Sequence, residues 1–193
     1  LTAGGLGLLS IFFIQDPNVA DGVQAGIKVY CGQSMTCSYV SSGEIAVGDY
    51  VRVKANSINS YYCQMQIAPN PKKNDRVQIE KLDTKPEIVP VALDASLFPQ
   101  EEDLVGADNK DINAVASSIY NGTLVSINPT KIGEAVPKSS SDSTTMGWQF
   151  VDGKNRTGIV GNNFYKFELE KDQNYKLTGI IYYYYNKLQI MPR

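Results

Sequence analysis

The side chains able to do chemistry are spread unevenly along this chain, and one type is missing. None of the 193 residues is histidine. That removes Ser-His-Asp and Cys-His nucleophilic sites, histidine general bases and the commonest ligand of zinc and other transition metals. Catalysis would have to rest on carboxylates, Lys, Tyr or Cys. Close carboxylate pairs such as Glu101-Glu102 and Glu168-Glu170 occur. General acid/base work needs a cleft and pKa values driven apart. The first pair stands in a Pro-rich connector and the second at a strand end, so both read as solvated charge. Asp16, Asn18 and Asp21 could approach a cation, but their spacing departs from the 1-3-5 pattern of a calcium loop. They read as a side-chain-capped turn. No catalytic residue, resident metal or cofactor is expected.

The three cysteines are Cys31, Cys37 and Cys63. Cys31 and Cys37 flank a short loop and could form a disulfide, or one of them could bridge to Cys63. An odd count leaves at least one thiol unpaired within the chain, so the compartment cannot be read from it. No C-x-x-C spacing supports a three-cysteine metal site.

The remaining chemistry lies in aromatics interleaved with cations. Phe12, Lys28, Tyr30, Arg52 and Lys54 form one set. Trp148, Tyr165, Lys166 and the run Tyr182-Tyr183-Tyr184-Tyr185, with Tyr183 at its centre, form another. Such sets stack bases or sugars on rings above a cationic groove. The competing reading is ordinary: aromatics favour strands, alternate members of a run point to opposite faces, and about half of them would be core.

The elements that must position these residues are strands. Val47 to Pro69 opens with a Gly-Asp turn, alternates Val51, Val53 and Ala55 with Arg52 and Lys54, and passes a polar stretch at Asn56–Ser60. It then alternates Tyr61, Cys63, Met65 and Ile67 with Gln64 and Gln66. Period-two alternation on both sides of a polar turn predicts a β-hairpin, with Tyr61, Cys63, Met65 and Ile67 facing inward. The same pattern returns at Lys171 to Pro192, where Gln189-Ile190-Met191-Pro192 matches Gln66-Ile67-Ala68-Pro69. Upstream, Trp148–Gly153 matches the strand ending in Gln15-Asp16, and Thr157-Gly158-Ile159-Val160 matches Ala25-Gly26-Ile27-Lys28. An internal repeat outranks any single motif in deciding architecture. Gly122–Ile127 supplies the second copy with an additional first strand. The first copy has no equivalent beyond Leu1-Thr2, so its opening strand is expected before residue 1 of the parent protein.

Between the copies, Lys81 to Gly106 is rich in Pro and acid and reads as an extended connector, with a short helix over Asp111–Tyr120. The expected division is therefore 1–80, a connector at 81–117, and 118–193. Lys and Arg number 18 against 20 Asp and Glu, giving a net charge of −2. That argues against bulk attraction to nucleic acid or anionic membrane, while leaving room for a local basic patch. No run of about 18 apolar residues exists to form a transmembrane helix. The N-terminus lacks a charged region followed by a long apolar one, and a chain starting on Leu1 reads as a mature or trimmed fragment.

A unit of about five strands with little helix fits the OB-fold, a partly open Greek-key barrel. Phe13-Ile14-Gln15-Asp16, Gly26–Tyr30, Val47–Val53 and Gln66-Ile67 resemble one OB-fold family. Its members occur in secreted bacterial nucleases, ahead of an endonuclease/exonuclease/phosphatase-type catalytic domain, and in surface lipoproteins. Tyr120–Ile127 is similar to the segment opening the next unit in that family, with Asn-Gly in place of the usual Glu-Gly. The resemblance implies tandem OB-like barrels and a secreted or outer-membrane-anchored setting. It does not carry over nuclease activity, because that chemistry needs histidines beside the metal-binding carboxylates.

The expectation is an all-β chain of two tandem OB-fold-like Greek-key barrels with a partly helical connector. Its expected role is a non-enzymatic accessory module at the cell surface or outside the cell, scaffolding a partner protein. The alternative is an oligonucleotide-binding module serving an extracellular nuclease, taking single-stranded nucleic acid or an oligosaccharide on the two aromatic and cationic sets.

Overall fold

The computed structural model describes residues 3–4, 11–19, 21–32, 38–61, 64–70, 76–83, 87–98, 118–138, 141–162, 167–184 and 187–192. The protein is all-β, built from several sheets. The first half carries β1 (Ala3–Gly4), β2 (Ile11–Gln15), β3 (Gly26–Tyr30), a one-turn helix α1 (Ser38–Ser41), β4 (Tyr50–Lys54), β5 (Ser57–Tyr61), β6 (Gln64–Ala68) and β7 (Gln78–Leu82). The second carries β8 (Val91–Leu93), β9 (Leu124–Pro137), β10 (Thr145–Val151), β11 (Thr157–Gly161), β12 (Asn174–Tyr184) and β13 (Lys187–Pro192). Of the helix expected over 111–120, residues 111–117 lie outside the described residues, and Ser118–Tyr120 is a single 3-10 turn.

The second half closes on itself. Strands follow the order β10-β11-β13-β12-β9, and β9 returns to pair with β10. The 14-residue β9 makes this possible: its first part pairs with β12 from Leu124↔Ile180 to Lys131↔Asn174, and its second part pairs with β10 from Lys131↔Val151 to Pro137↔Thr145. Inside are Val125, Ile127, Ile132, Trp148, Phe150, Val160, Leu177, Ile181, Leu188 and Ile190. Ala95 and Phe98, from the connector, are wholly buried against this core. Phe98 meets Phe150 edge-on at 5.2 Å. Asp94 caps the 3-10 turn that carries Ala95, and Arg156 ties Asp94 to Asp152 at 2.9 and 2.6 Å. The connector is thus part of the barrel's packing.

The first half follows the same plan with its first strand divided. β2 pairs antiparallel with β3, β3 parallel with β6, and β6 antiparallel with β5, as β10, β11, β13 and β12 do. The position taken by the first part of β9, antiparallel to the strand before the final hairpin, is taken here by β7 on β4. The position of its second part is taken by β1 on β2. Phe12, Val29, Cys31, Ile45 and Val77 form the buried core of this half, with Tyr39 and Val40 of α1 packed against it.

The expected hairpin is corrected in two respects. Val51–Ala55 does not fold back on Tyr61–Ile67, because β4 pairs with β7 and the polar stretch from Ser57 is itself a strand. The equivalent segment of the second half is one continuous strand, β12, so Ala55-Asn56 is a break in a long strand rather than a hairpin turn. The true turn lies between Tyr61 and Gln64, which are paired across β5 and β6. A two-residue connection reverses the parity of everything before it. Tyr61 therefore shares a face with Gln64 and Gln66, not with Met65 and Ile67. Gln64 and Gln66 are buried, at 1% and 5% exposure, while Met65 stands 54% exposed.

Candidate functional site

Parity assigns each sheet of the first half two faces. Phe12, Ile14, Val29 and Ile67 point into its own core, while Ile11, Phe13, Lys28, Tyr30 and Gln66 point outward. That outer face is where the sequence placed a ligand platform, and much of it is covered. Ile11 and Phe13 pack with Leu124, Ile180, Tyr182 and Met191 from the outside of the second barrel, and Tyr30 packs against the same cluster. Phe13 and Tyr182 meet edge-to-face, ring centroids 5.5 Å apart. Backbones touch as well: a Cβ on Gly26 would lie 2.2 Å from the carbonyl carbon of Gly122 and 2.3 Å from Thr123 N. The Gln15 side-chain carbonyl accepts from Leu124 N at 2.8 Å, and Thr123 Oγ1 donates to the Gly22 carbonyl at 3.1 Å.

The two predicted sets are dispersed by this arrangement. Phe12 is fully buried in the first core, and Trp148, 6% exposed, lies in the second, tilted against Phe167 at 5.3 Å. Rings so enclosed cannot stack on a ligand, and the ordinary core reading applies to both. Arg52 is exposed and paired with Glu80 at 2.8 Å, across β4 and β7. Lys54 is exposed on the same strand. Tyr165 and Lys166 lie outside the described residues, as do Cys37, Cys63, Glu101 and Glu102 and the side chain of Tyr183. Lys28 and Tyr30 remain together on one face.

Around them is a group that sequence reasoning did not assemble. β3, β6 and β5 place Lys28, Gln66 and Asn59 in one row, and Gln66 Nε2 donates to Asn59 Oδ1 at 2.9 Å. Lys28 is 5% exposed, and its ammonium lies over the Tyr61 ring, 5.2 Å from the centroid. Burial lowers its pKa from the usual lysine range to about 8. Tyr30 is pushed up, first by burial and then by the neighbouring Tyr61. Among the described residues no carboxylate pairs with Lys28. Tyr61 itself is 56% exposed and stands at the edge of the sheet.

Beside this group is apolar surface. Ile58 on β5 and Met65 on β6 are 65% and 54% exposed. Their counterparts in the second barrel follow from register: Ile58 pairs with Ile67 as Ile181 pairs with Ile190, and Ser60 pairs with Met65 as Tyr183 pairs with Leu188. Ile181 and Leu188 are core, 1% and 4% exposed. The same inward positions are closed in the second half and open in the first.

Away from this face, the carboxylates of a further cleft are engaged within the chain. A cleft of about 310 Å³ is lined by Ile14, Asp16, Ile27, Asp49 and Tyr50 among others. Its two carboxylates are engaged: Asp49 binds Lys81 at 2.7 Å and accepts from Ala46 N, and Asp16 accepts from the Asn18 backbone and side chain. Asp21 caps its own turn through Val23 N. Among the described residues no three Cys, Asp or Glu side chains converge as a metal site would require, and no helix is long and apolar enough to cross a membrane. Cys31 is disulfide-bonded. Comparison with known protein families, curated proteins and solved structures returned no match.

Proposed function

We propose that this chain is a non-enzymatic interaction module, in which two OB-like barrels form one platform that holds a partner protein. One observation carries the reading. The outer face of the first barrel is largely spent on the second barrel, while Ile58 and Met65 remain exposed together on one face of the β5–β6 hairpin and Tyr61 on the other. Exposed apolar clusters of this kind mark protein contact surfaces. Support for the OB assignment comes from the closed order in the second half, where strands one, two, three, five and four follow one another and the third and fifth are parallel. A secreted or surface-anchored setting fits the disulfide at Cys31, since disulfides persist in oxidising compartments.

The oligonucleotide alternative has one observation on its side, the Lys28 ammonium beside Tyr30 and Tyr61. It loses Phe12 and Trp148 to the barrel interiors. The two readings part in a pair of experiments. A twelve-residue oligothymidylate titrated at low and high salt should give no salt-steep binding to the intact protein. Complexes recovered from native extracts should be lost with the double substitution Ile58→Glu and Met65→Glu. Oligothymidylate binding that weakens steeply with salt and disappears in Lys28→Gln would overturn the interaction reading in favour of a nucleic-acid module.

A further inference from the structure

β5 is an edge strand: the first sheet runs β1-β2-β3-β6-β5 and, among the described residues, nothing pairs with the far side of β5. Its sequence, Ser57-Ile58-Asn59-Ser60-Tyr61, holds none of the charges or prolines by which exposed edges are usually blunted. The second barrel shows what such an edge accepts. There Ile181 donates its backbone N–H to the Thr123 carbonyl and accepts from Gly122 N, and antiparallel pairing continues into β9. The residues facing the β5 counterparts there are Thr123, bonded to Ile181, and Leu124, opposite Ile180, while Val125 and Ile127 lie further along, opposite Gly179 and Leu177. On the first barrel the apolar surface awaiting such a segment is Ile58 and Met65.

The opposite face of the same edge supplies a second requirement. Lys28 starts on β3, and its ammonium has crossed β6 to lie over a β5 side chain. A lysine this enclosed is costly to keep charged without a counter-ion, and the Tyr61 ring returns only part of that cost. A strand added beside β5 would continue the row Lys28, Gln66, Asn59 and place every second side chain on the lysine's face. A carboxylate there would restore the missing partner.

We infer that the edge of β5 at Ser57–Ser60 binds an extended segment of a partner protein by strand addition, taking apolar residues on the Ile58–Met65 face and an Asp or Glu on the Lys28 face. The inference rests on the interaction reading above and names its partner class. Affinity would come from main-chain hydrogen bonds and the two apolar contacts, and specificity from the acid.

The test uses the intact protein and three synthetic octapeptides: alternating Val and Glu, alternating Val and Lys, and the Val-Glu peptide N-methylated at alternate amides. The Val-Glu peptide should bind and slow amide exchange within Ser57–Tyr61. Lys28→Gln and Ile58→Glu should each weaken it at least tenfold, and the other two peptides should fail. Lys28→Arg, which keeps the charge, should retain binding if the fold is intact. Equal binding of the Val-Glu and Val-Lys peptides, or protection of other strands, overturns the inference. So does self-association of the free protein abolished by Ile58→Glu, which would assign the edge to a second copy. If the Val-Glu peptide does not bind but Ile58→Glu with Met65→Glu still abolishes native complexes, strand addition fails and the interaction reading stands. If neither responds, both fail.

Discussion

Replacing Phe13 by Ala tests how the two halves are joined. The ring is 1% exposed and is shared between halves: its own strand belongs to the first, and its neighbours Leu124, Ile180, Tyr182 and Met191 to the second. Phe-to-Ala changes in cores cost about 3–5 kcal/mol. The edge-to-face pair with Tyr182 accounts for about 0.5–1.5 kcal/mol of that. Because neither interior core contains Phe13, the loss should fall on the coupling between halves. The expected result in urea is a single transition for the wild-type chain and an earlier, split transition for Phe13→Ala. Phe12→Ala is the control. It removes the same ring from the first core, 0% exposed, and should cost a similar amount without removing the contact with Tyr182. A double-mutant cycle between Phe13→Ala and Tyr182→Ala should return a coupling of about 0.5–1.5 kcal/mol. A Phe13→Ala cost below about 1 kcal/mol, or a coupling of zero, would refute the packing on which the functional argument stands.

Three further outcomes follow from the same geometry. Gly26→Ala should destabilise by about 1–3 kcal/mol, since its Cβ meets backbone of Gly122 and Thr123 inside 2.5 Å, whereas Gly153→Ala, with nothing within 4 Å, should be close to neutral in thermal melts. Lys28 titrates near pH 8 when folded and near 10.5 when unfolded, so the unfolded chain binds more protons between those values and stability from this group rises with pH across that window. Lys28→Met should flatten that rise and add about 1–2 kcal/mol at pH 7 after allowance for solvent screening. The comparison is made by denaturant titration below pH 10, because Tyr30, raised when folded, loses its contribution as pH climbs through its own titration. Asp152→Ala should cost about 1–2 kcal/mol in melting experiments. Its carboxylate accepts from Lys154 N at 2.8 Å, Arg156 N at 3.0 Å and Arg156 Nε at 2.8 Å, closing the turn between β10 and β11. Asp152→Asn should recover part of that loss.

Period-two alternation and the repeat were enough to read an all-β chain and to pair corresponding strands of its two halves. They could not say which face of a strand is inside. Phe12 and Phe13 are neighbours of the same residue type, yet one fills the first core and the other meets the second barrel, because both faces of β2 are covered. Trp148 looked like a stacking platform by composition and is core by position. The Tyr61–Met65 parity failed on a turn two residues long, which no alternation count reveals when polar residues extend on both sides. Lys28 was visible as a candidate, but its isolation was not. Its enclosure depends on β6 and β5 lying beside β3, and parallel pairing leaves no local signal. Ile58 went unnoticed because a lone apolar residue among polar ones looks ordinary until its repeat counterpart is seen buried, and Met65, expected to be covered on the inward face, is 54% exposed there.

The central claim is that the outer face of the first half's five-stranded sheet packs on the second half, leaving the β5–β6 edge as the surface proposed to meet a partner. Methyl resonances of the intact protein, recorded with a soluble paramagnetic agent, test both halves of it at once. The account predicts strong broadening at Ile58 and Met65 and little at Ile11, Leu124, Ile180 and Met191, which are 8%, 0%, 0% and 1% exposed. Broadening at Leu124 and Ile180 equal to that at Ile58 would mean that the two halves part in solution and that the aromatic face is open after all.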